Sequence, residues 1–149
     1  MKKLNVNFLT LSIILCLAID TIMAQAPDIE WQKTLGGSLT DRAEFIEQTT
    51  DGGYITAGYS NSNDVDASGN HGGLDFWIVK LNQMGNLEWQ KSHGGSNDDV
   101  ATSLQQTIDD GYIIAGASKS SNGNVLNNRG GFDYWVMRLD ETGAFDGQT

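Results

Sequence analysis

Cysteine is almost missing from this chain. The only one, Cys16, lies in an N-terminal stretch that reads as removable. A mature protein without it has no disulfide framework and no Cys-based metal site, so packing alone must hold the fold. Proline occurs once, at Pro27. Basic residues are few, 9 Lys and Arg against 19 Asp and Glu. That acidic balance repels nucleic acid and anionic membrane surfaces, so neither is expected as a partner. There are two histidines, His71 and His93, and neither recurs where the sequence repeats. No H-E-x-x-H, G-x-S-x-G or P-loop pattern occurs, which removes the usual signatures of metalloprotease, serine hydrolase and nucleotide chemistry. No apolar run reaches the roughly 20 residues needed to span a bilayer as a helix. No 3.6-residue apolar stripe is long enough for a helical or leucine-rich repeat.

The first 24 residues read as a secretory signal peptide. Lys2 and Lys3 form the positive start, Phe8 to Ile19 the apolar run, and Ala24 the small residue before a cut at Gln25. An uncleaved anchor is the alternative. Removing residues 1–24 takes away Lys2, Lys3 and Asp20, leaving 18 acidic and 7 basic side chains. Export to the medium or the cell surface is expected, with residues 25–30 as a short lead.

What is abundant is repetition. Trp31-Gln32-Lys33-Thr34-Leu35-Gly36-Gly37-Ser38 returns 58 residues later as Trp89-Gln90-Lys91-Ser92-His93-Gly94-Gly95-Ser96. Residues 31–88 align on 89–146 without a gap, with about 25 identities, and a unit of this length points to a propeller, solenoid or array. Residues 147–149 then fall where a third copy would begin.

Each repeat reads as four antiparallel strands. Phe76–Leu81 and its copy Tyr134–Leu139 are apolar on both alternating faces, as expected of strands buried on both sides. Leu87–Lys91 alternates and should be half-exposed. Val100–Thr107 is read as a strand, although Ala101 and Leu104 are also spaced for a helical turn. Thr49–Gly53 reads as a tight turn leading into Tyr54–Gly58. Two long polar stretches, Ser60–Gly73 and Ser118–Gly131, complete the pattern. The expected fold is all-β: tandem four-stranded antiparallel propeller-type blades, two repeats of an incomplete propeller. A sandwich of two duplicated sheets is the alternative.

The motifs W-Q-K-x-x-G-G-S, T-x-D-x-G-Y-I-x-A-G and G-G-x-D-[FY]-W-[IVM]-x-[KR]-L resemble the roughly 60-residue propeller-type repeats of large exported Bacteroidetes-type proteins. Such proteins often end in a type IX secretion sorting domain. The resemblance spans residues 31–146 and implies a secreted or surface β-propeller. This chain has two repeats, and no sorting domain follows them. Thr49-x-Asp51-x-Gly53 and Thr107-x-Asp109-x-Gly111 also resemble the Asp-box turn of propellers that include sialidases. That turn has a structural task, since its Asp accepts backbone N–H groups.

Three constellations could carry chemistry. Asp64, Asp66 and Ser68, with Gly69 and then Asp75, imitate the oxygen spacing of a calcium loop. The second copy has Asn122 and Asn124 where the first has Asp64 and Asp66, so a solvated loop is the competing reading. Trp31, Trp77, Trp89 and Trp135 suit packing between sheets better than sugar platforms, with Trp31 and Trp89 the more exposed pair. Adjacent carboxylates such as Asp98/Asp99 and Asp109/Asp110 lie in loops and do not suggest a glycosidase pair.

The reading is therefore a non-catalytic binding or scaffold module, adhesive or glycan-binding, whose loops form the contact face. A sialidase-like hydrolase is the alternative. It would need an arginine cluster, and only Arg42, Arg129 and Arg138 remain after residue 24. A remnant without function is a third reading. Two blades cannot close a ring, so the sequence is expected to be part of a longer protein or to need further repeats or a second chain.

Overall fold

A computed structural model describes residues 26–145. The signal-peptide reading and the expected third start at 147–149 fall outside them. Two units separate, Met1–Glu30 and Trp31–Thr149. Of the first, the described residues 26–30 are irregular and exposed. All seven strands belong to the second.

The strands are β1 (Asp41–Gln48), β2 (Tyr54–Ser60), β3 (Asp75–Leu81), β4 (Leu87–His93), β5 (Asp99–Gln106), β6 (Tyr112–Ser118) and β7 (Asp133–Leu139). No helix occurs among the described residues, and none there is long and apolar enough to cross a membrane. β1-β2-β3-β4 form one antiparallel sheet and β5-β6-β7 another, each in chain order. Val100–Thr107 thus contributes a strand and no helical turn. Its β-branched residues and the tight turn after it favour extended backbone.

Register repeats with the sequence. β1 carries a bulge between Ala43 and Phe45, and β5 carries the same bulge 58 residues on, between Ala101 and Ser103. Gly58 and Gly116 sit opposite those bulges. A Cβ at Gly58 would fall 1.8 Å from the Arg42 carbonyl oxygen, and one at Gly116 would fall 2.1 Å from that of Val100. The glycines there answer to backbone approach.

The sheets pack face to face. The first contributes Ile55, Ala57, Phe76 and Ile78 to the shared core, and the second Ala101, Leu104, Tyr112, Ile114, Met137 and Leu139. A second cluster, Trp77, Val79 and Leu81 with Ala67, lies on the other side of the first sheet beneath Trp31 and Leu35. Polar groups tie the junction at its ends. The Asp99 amide donates to the Leu74 carbonyl at 2.5 Å, and the Thr50 amide donates to Gln106 Oε1 at 2.9 Å.

The second sheet has three described strands, and the stretch expected to supply its fourth starts with Phe145, bridged to Leu139, at the end of the described residues. Two expectations need correction. Burial on both faces holds for β3, whose seven residues are all buried, and fails for β7. Among the described residues no sheet covers the outer face of β7, so Tyr134 is 96% exposed and Val136 58%. Sheet and repeat are also out of phase by one strand. The Trp89 strand opens the second repeat yet closes the first sheet.

Candidate binding surface

The loops at one end of the sheets are held by two copies of one polar network. Asp41 accepts the hydroxyls of Ser60 (2.5 Å) and Ser62 (3.0 Å) and the Gly37 amide (2.7 Å). Asp99 accepts those of Ser118 and Ser120 (2.8 Å) and the Gly95 amide (2.8 Å). Ser60, Ser62, Ser118, Ser120 and Asp99 are buried. A buried carboxylate is tolerable here because every donor around it points inward. The sequence reading passed over this D…S-x-S set. Its signal was present: all three residues recur identically at the 58-residue offset.

Asp64 and Asp66 extend the same network. Asp64 Oδ1 accepts the Ser38 amide at 2.8 Å, and Asp66 Oδ2 accepts the Gly36 amide at 3.4 Å. In the second copy Asn122 Oδ1 takes the Ser96 amide at 2.9 Å and Asn124 Oδ1 the Gly94 amide at 3.2 Å. An amide oxygen accepts a backbone N–H as a carboxylate does, so the Asp-to-Asn change between copies keeps the loop. Ser68 bonds Gln90 Nε2 at 2.6 Å. Asp75, fully buried, accepts the amide and Nδ1 of His71 at 2.6 and 2.8 Å. The four proposed calcium ligands thus face four different partners. Among the described residues no group of three or more His, Cys, Asp or Glu is arranged to hold a metal.

The Asp-box-like turns do structural work. Asp51 Oδ1 accepts the Thr49 hydroxyl at 2.5 Å and the Gly53 amide at 2.8 Å. Its other oxygen meets Lys80 Nζ at 2.8 Å, and Lys80 also pairs with Glu88 at 3.0 Å. The Lys80 hydrogen bond, helped by Thr49 and Gly53, holds the Asp51 pKa down at about 2. Lys80, almost wholly buried in the junction, is thereby neutralised. Asp109 is matched with Thr107 and Arg138 in the second copy. Arg42, Arg129 and Arg138 lie on β1, a loop and β7, and Arg42 pairs with Glu44.

His93 is buried against Phe145, with Nε2 unpartnered. Burial lowers its pKa to about 4. Burial likewise raises Asp75, whose Oδ1 has no hydrogen-bond partner.

A groove of about 500 Å³ opens on the outer face of the first sheet. Its lining includes Trp77, Val79 and Leu81 from β3, Ile46 from β1, and Trp31 and Leu35 from the preceding segment. Lys33, Arg42 and Glu44 are exposed along it. Trp31 and Trp89 are half-buried rather than open, each packed edge-on against a tyrosine, Tyr54 and Tyr112. A smaller polar cleft of about 400 Å³ follows the sheet junction around Lys80, Glu88 and Asp110. Compared with known proteins, the sequence matches no protein-family model and no curated protein.

Proposed function

We propose that this chain is an exported, non-catalytic repeat module of the propeller-blade type that works by binding and scaffolding. One observation carries the reading: the apolar surface left uncovered is a groove on one outer sheet face and a patch on the other, and both repeat the inner junction. The loop carboxylates Asp41 and Asp99 support it, because both oxygens of each are engaged with loop backbone and serine hydroxyls. A general acid or base needs a free oxygen directed at a substrate. The acidic surface suits a solvated extracellular module.

Two measurements test this. N-terminal sequencing of the protein recovered outside the cytoplasm should begin at Gln25. Purified mature protein should leave a panel of fluorogenic glycosides, sialosides included, unhydrolysed. Turnover abolished by a single Asp→Asn change would replace this reading with the hydrolase one.

A further inference from the structure

The two long polar loops share one backbone arrangement and differ in one reactive pair. In the first, Asp64 Oδ1 accepts the Ser38 amide. The Ala67 amide donates to the Asp64 carbonyl at 3.0 Å and the Asp66 amide to the Gly36 carbonyl at 3.2 Å. In the second, Asn122 Oδ1 accepts the Ser96 amide. The Val125 amide donates to the Asn122 carbonyl at 3.2 Å and the Asn124 amide to the Gly94 carbonyl at 2.9 Å. The next residue is left-handed in both loops, Val65 at φ 56° and Gly123 at φ 66°. Where the first copy has Asp-Val, the second has Asn-Gly, the only such pair in the sequence.

A backbone nitrogen that follows an asparagine can attack its side-chain amide, and glycine hinders the attack least because it has no Cβ. Asn122 and Gly123 are both exposed. The Gly123 amide has no hydrogen-bond partner among the described residues. By contrast, the amides that follow Asn61, Asn70 and Asn128 donate to Ser60 Oγ, Asp75 Oδ2 and Asp133 Oδ2. The amide that follows Asn124 belongs to buried Val125 and is held by the Asn122 carbonyl. The Ser96 amide, 2.9 Å from Asn122 Oδ1, donates to the oxygen on which negative charge develops during the attack. Packing keeps glycine in place, since a Cβ at residue 123 would fall 2.4 Å from the Gly94 carbonyl oxygen. The second loop as packed therefore excludes the Val65 side chain of the first.

We propose that Asn122 is a site of spontaneous deamidation, with water as the only co-reactant. The Gly123 nitrogen bonds to Asn122 Cγ and gives up its proton. The Cγ–Nδ2 bond breaks, Nδ2 takes that proton and leaves as ammonia, and a cyclic succinimide remains. Water then opens the ring, and nothing is oxidised or reduced. Cleavage between Cγ and the ring nitrogen gives aspartate at 122. Cleavage between the main-chain carbonyl carbon and that nitrogen gives isoaspartate, whose main chain runs through Cγ. The two products differ in consequence. Aspartate reproduces the Asp64 arrangement, adds a negative charge and keeps an oxygen for the Ser96 amide. Isoaspartate puts an extra methylene into the turn, which displaces the Asn122 carbonyl from the Val125 amide and loosens the cover over Val125, 3% exposed.

The test is a peptide map of mature protein held warm in mildly alkaline buffer. Circular dichroism over the same period keeps unfolding out of the result. Tryptic cleavage after Lys119 and Arg129 gives a peptide containing Asn122, Asn124, Asn127 and Asn128, so three asparagines serve as internal controls. Tandem mass spectrometry should show the NH2-to-OH mass gain at residue 122 ahead of the other three. The converted peptide should split into two chromatographic forms, one co-eluting with that from Asn122→Asp. In water enriched in heavy oxygen the gain should carry the label. Asn122→Gln, whose longer side chain does not close the same ring, should show no gain at 122 over that time. An intact Asn122 in the folded protein overturns the proposal. So does conversion of the free peptide 120–129 without conversion of the folded protein, because the fold would then protect the pair. Equal conversion at Asn124, Asn127 or Asn128 overturns it as well. No outcome bears on glycoside turnover, so the functional reading stands or fails separately.

Discussion

β3 and β7 have nearly the same residues and opposite surroundings. In β3, Asp-Phe-Trp-Ile-Val-Lys-Leu is buried throughout, between the second sheet on one side and Trp31, Leu35 and Ala67 on the other. In β7, Asp-Tyr-Trp-Val-Met-Arg-Leu buries Met137 and Leu139 inward and leaves Tyr134 and Val136 in solvent. β1 and β5 show the reverse. β5 buries Ala101 and Leu104 against the first sheet, while the matching Ala43 and Ile46 of β1 are exposed. Burial of a strand in a repeat is thus a property of its neighbours. The strand's own composition only makes it fit for burial on both sides.

The sharpest way to break this comparison is to truncate the same ring in both places. Phe76→Ala should cost about 3–5 kcal/mol in denaturant unfolding, because it empties a packed junction. Tyr134→Ala in the monomer should cost less than about 0.5 kcal/mol, as an exposed site away from special features. Equal losses would mean that the two faces are not inner and outer.

His93 replaces the repeat's Leu35 with a buried ring. Its pKa is depressed from 6.5 to about 4, so between those values the unfolded chain binds more protons. Stability therefore rises with pH across that window and is lost as pH falls through it, by about 3 kcal/mol in total. His93→Leu should remove this dependence between pH 6.5 and 4, as read from unfolding midpoints. An unchanged slope would assign it to groups other than His93, and not to Asp75, whose raised pKa acts in the opposite direction.

Val65 and Gly123 are equivalent positions with left-handed backbone, φ 56° and 66°. A β-branched residue is strained there, so Val65→Gly should stabilise by about 1 kcal/mol, a rise of a few degrees in Tm. The smallest effect belongs to Asp64→Asn/Asp66→Asn, which copies the second loop into the first. Stability should change by less than about 0.5 kcal/mol, since an amide oxygen replaces a carboxylate oxygen toward the same N–H donors. Calcium titration calorimetry should give the same heats before and after the change. A large heat lost on substitution would restore the calcium reading.

Much of the molecule was legible in the residues. Alternation and β-branching located β2, β3 and β6, and Thr-x-Asp-x-Gly located the turns at Asp51 and Asp109. The phase between repeat and sheet was not legible, because Trp89 looks like the start of a unit and only its pairing with Lys80 places it at a sheet's end. The calcium-like spacing is ambiguous for a related reason. One-dimensional spacing cannot tell oxygens that converge from oxygens that each meet a different backbone amide, as Asp64 and Asp66 do. Asp99 reads from sequence only as a loop acid and Asp41 draws no reading at all, although their identical serine partners recur with them.

The sequence by itself determined the local conformation: the strands, the hairpin turns, the acidic surface and the equivalence of two units, all set by neighbours within a few residues or by summed charge. Only the tertiary structure decided which of two like faces is dry, which edge is paired and which carboxylate is tied to backbone. Those depend on what lies across the sheet, and two copies of one motif carry no information about which of them will have a neighbour.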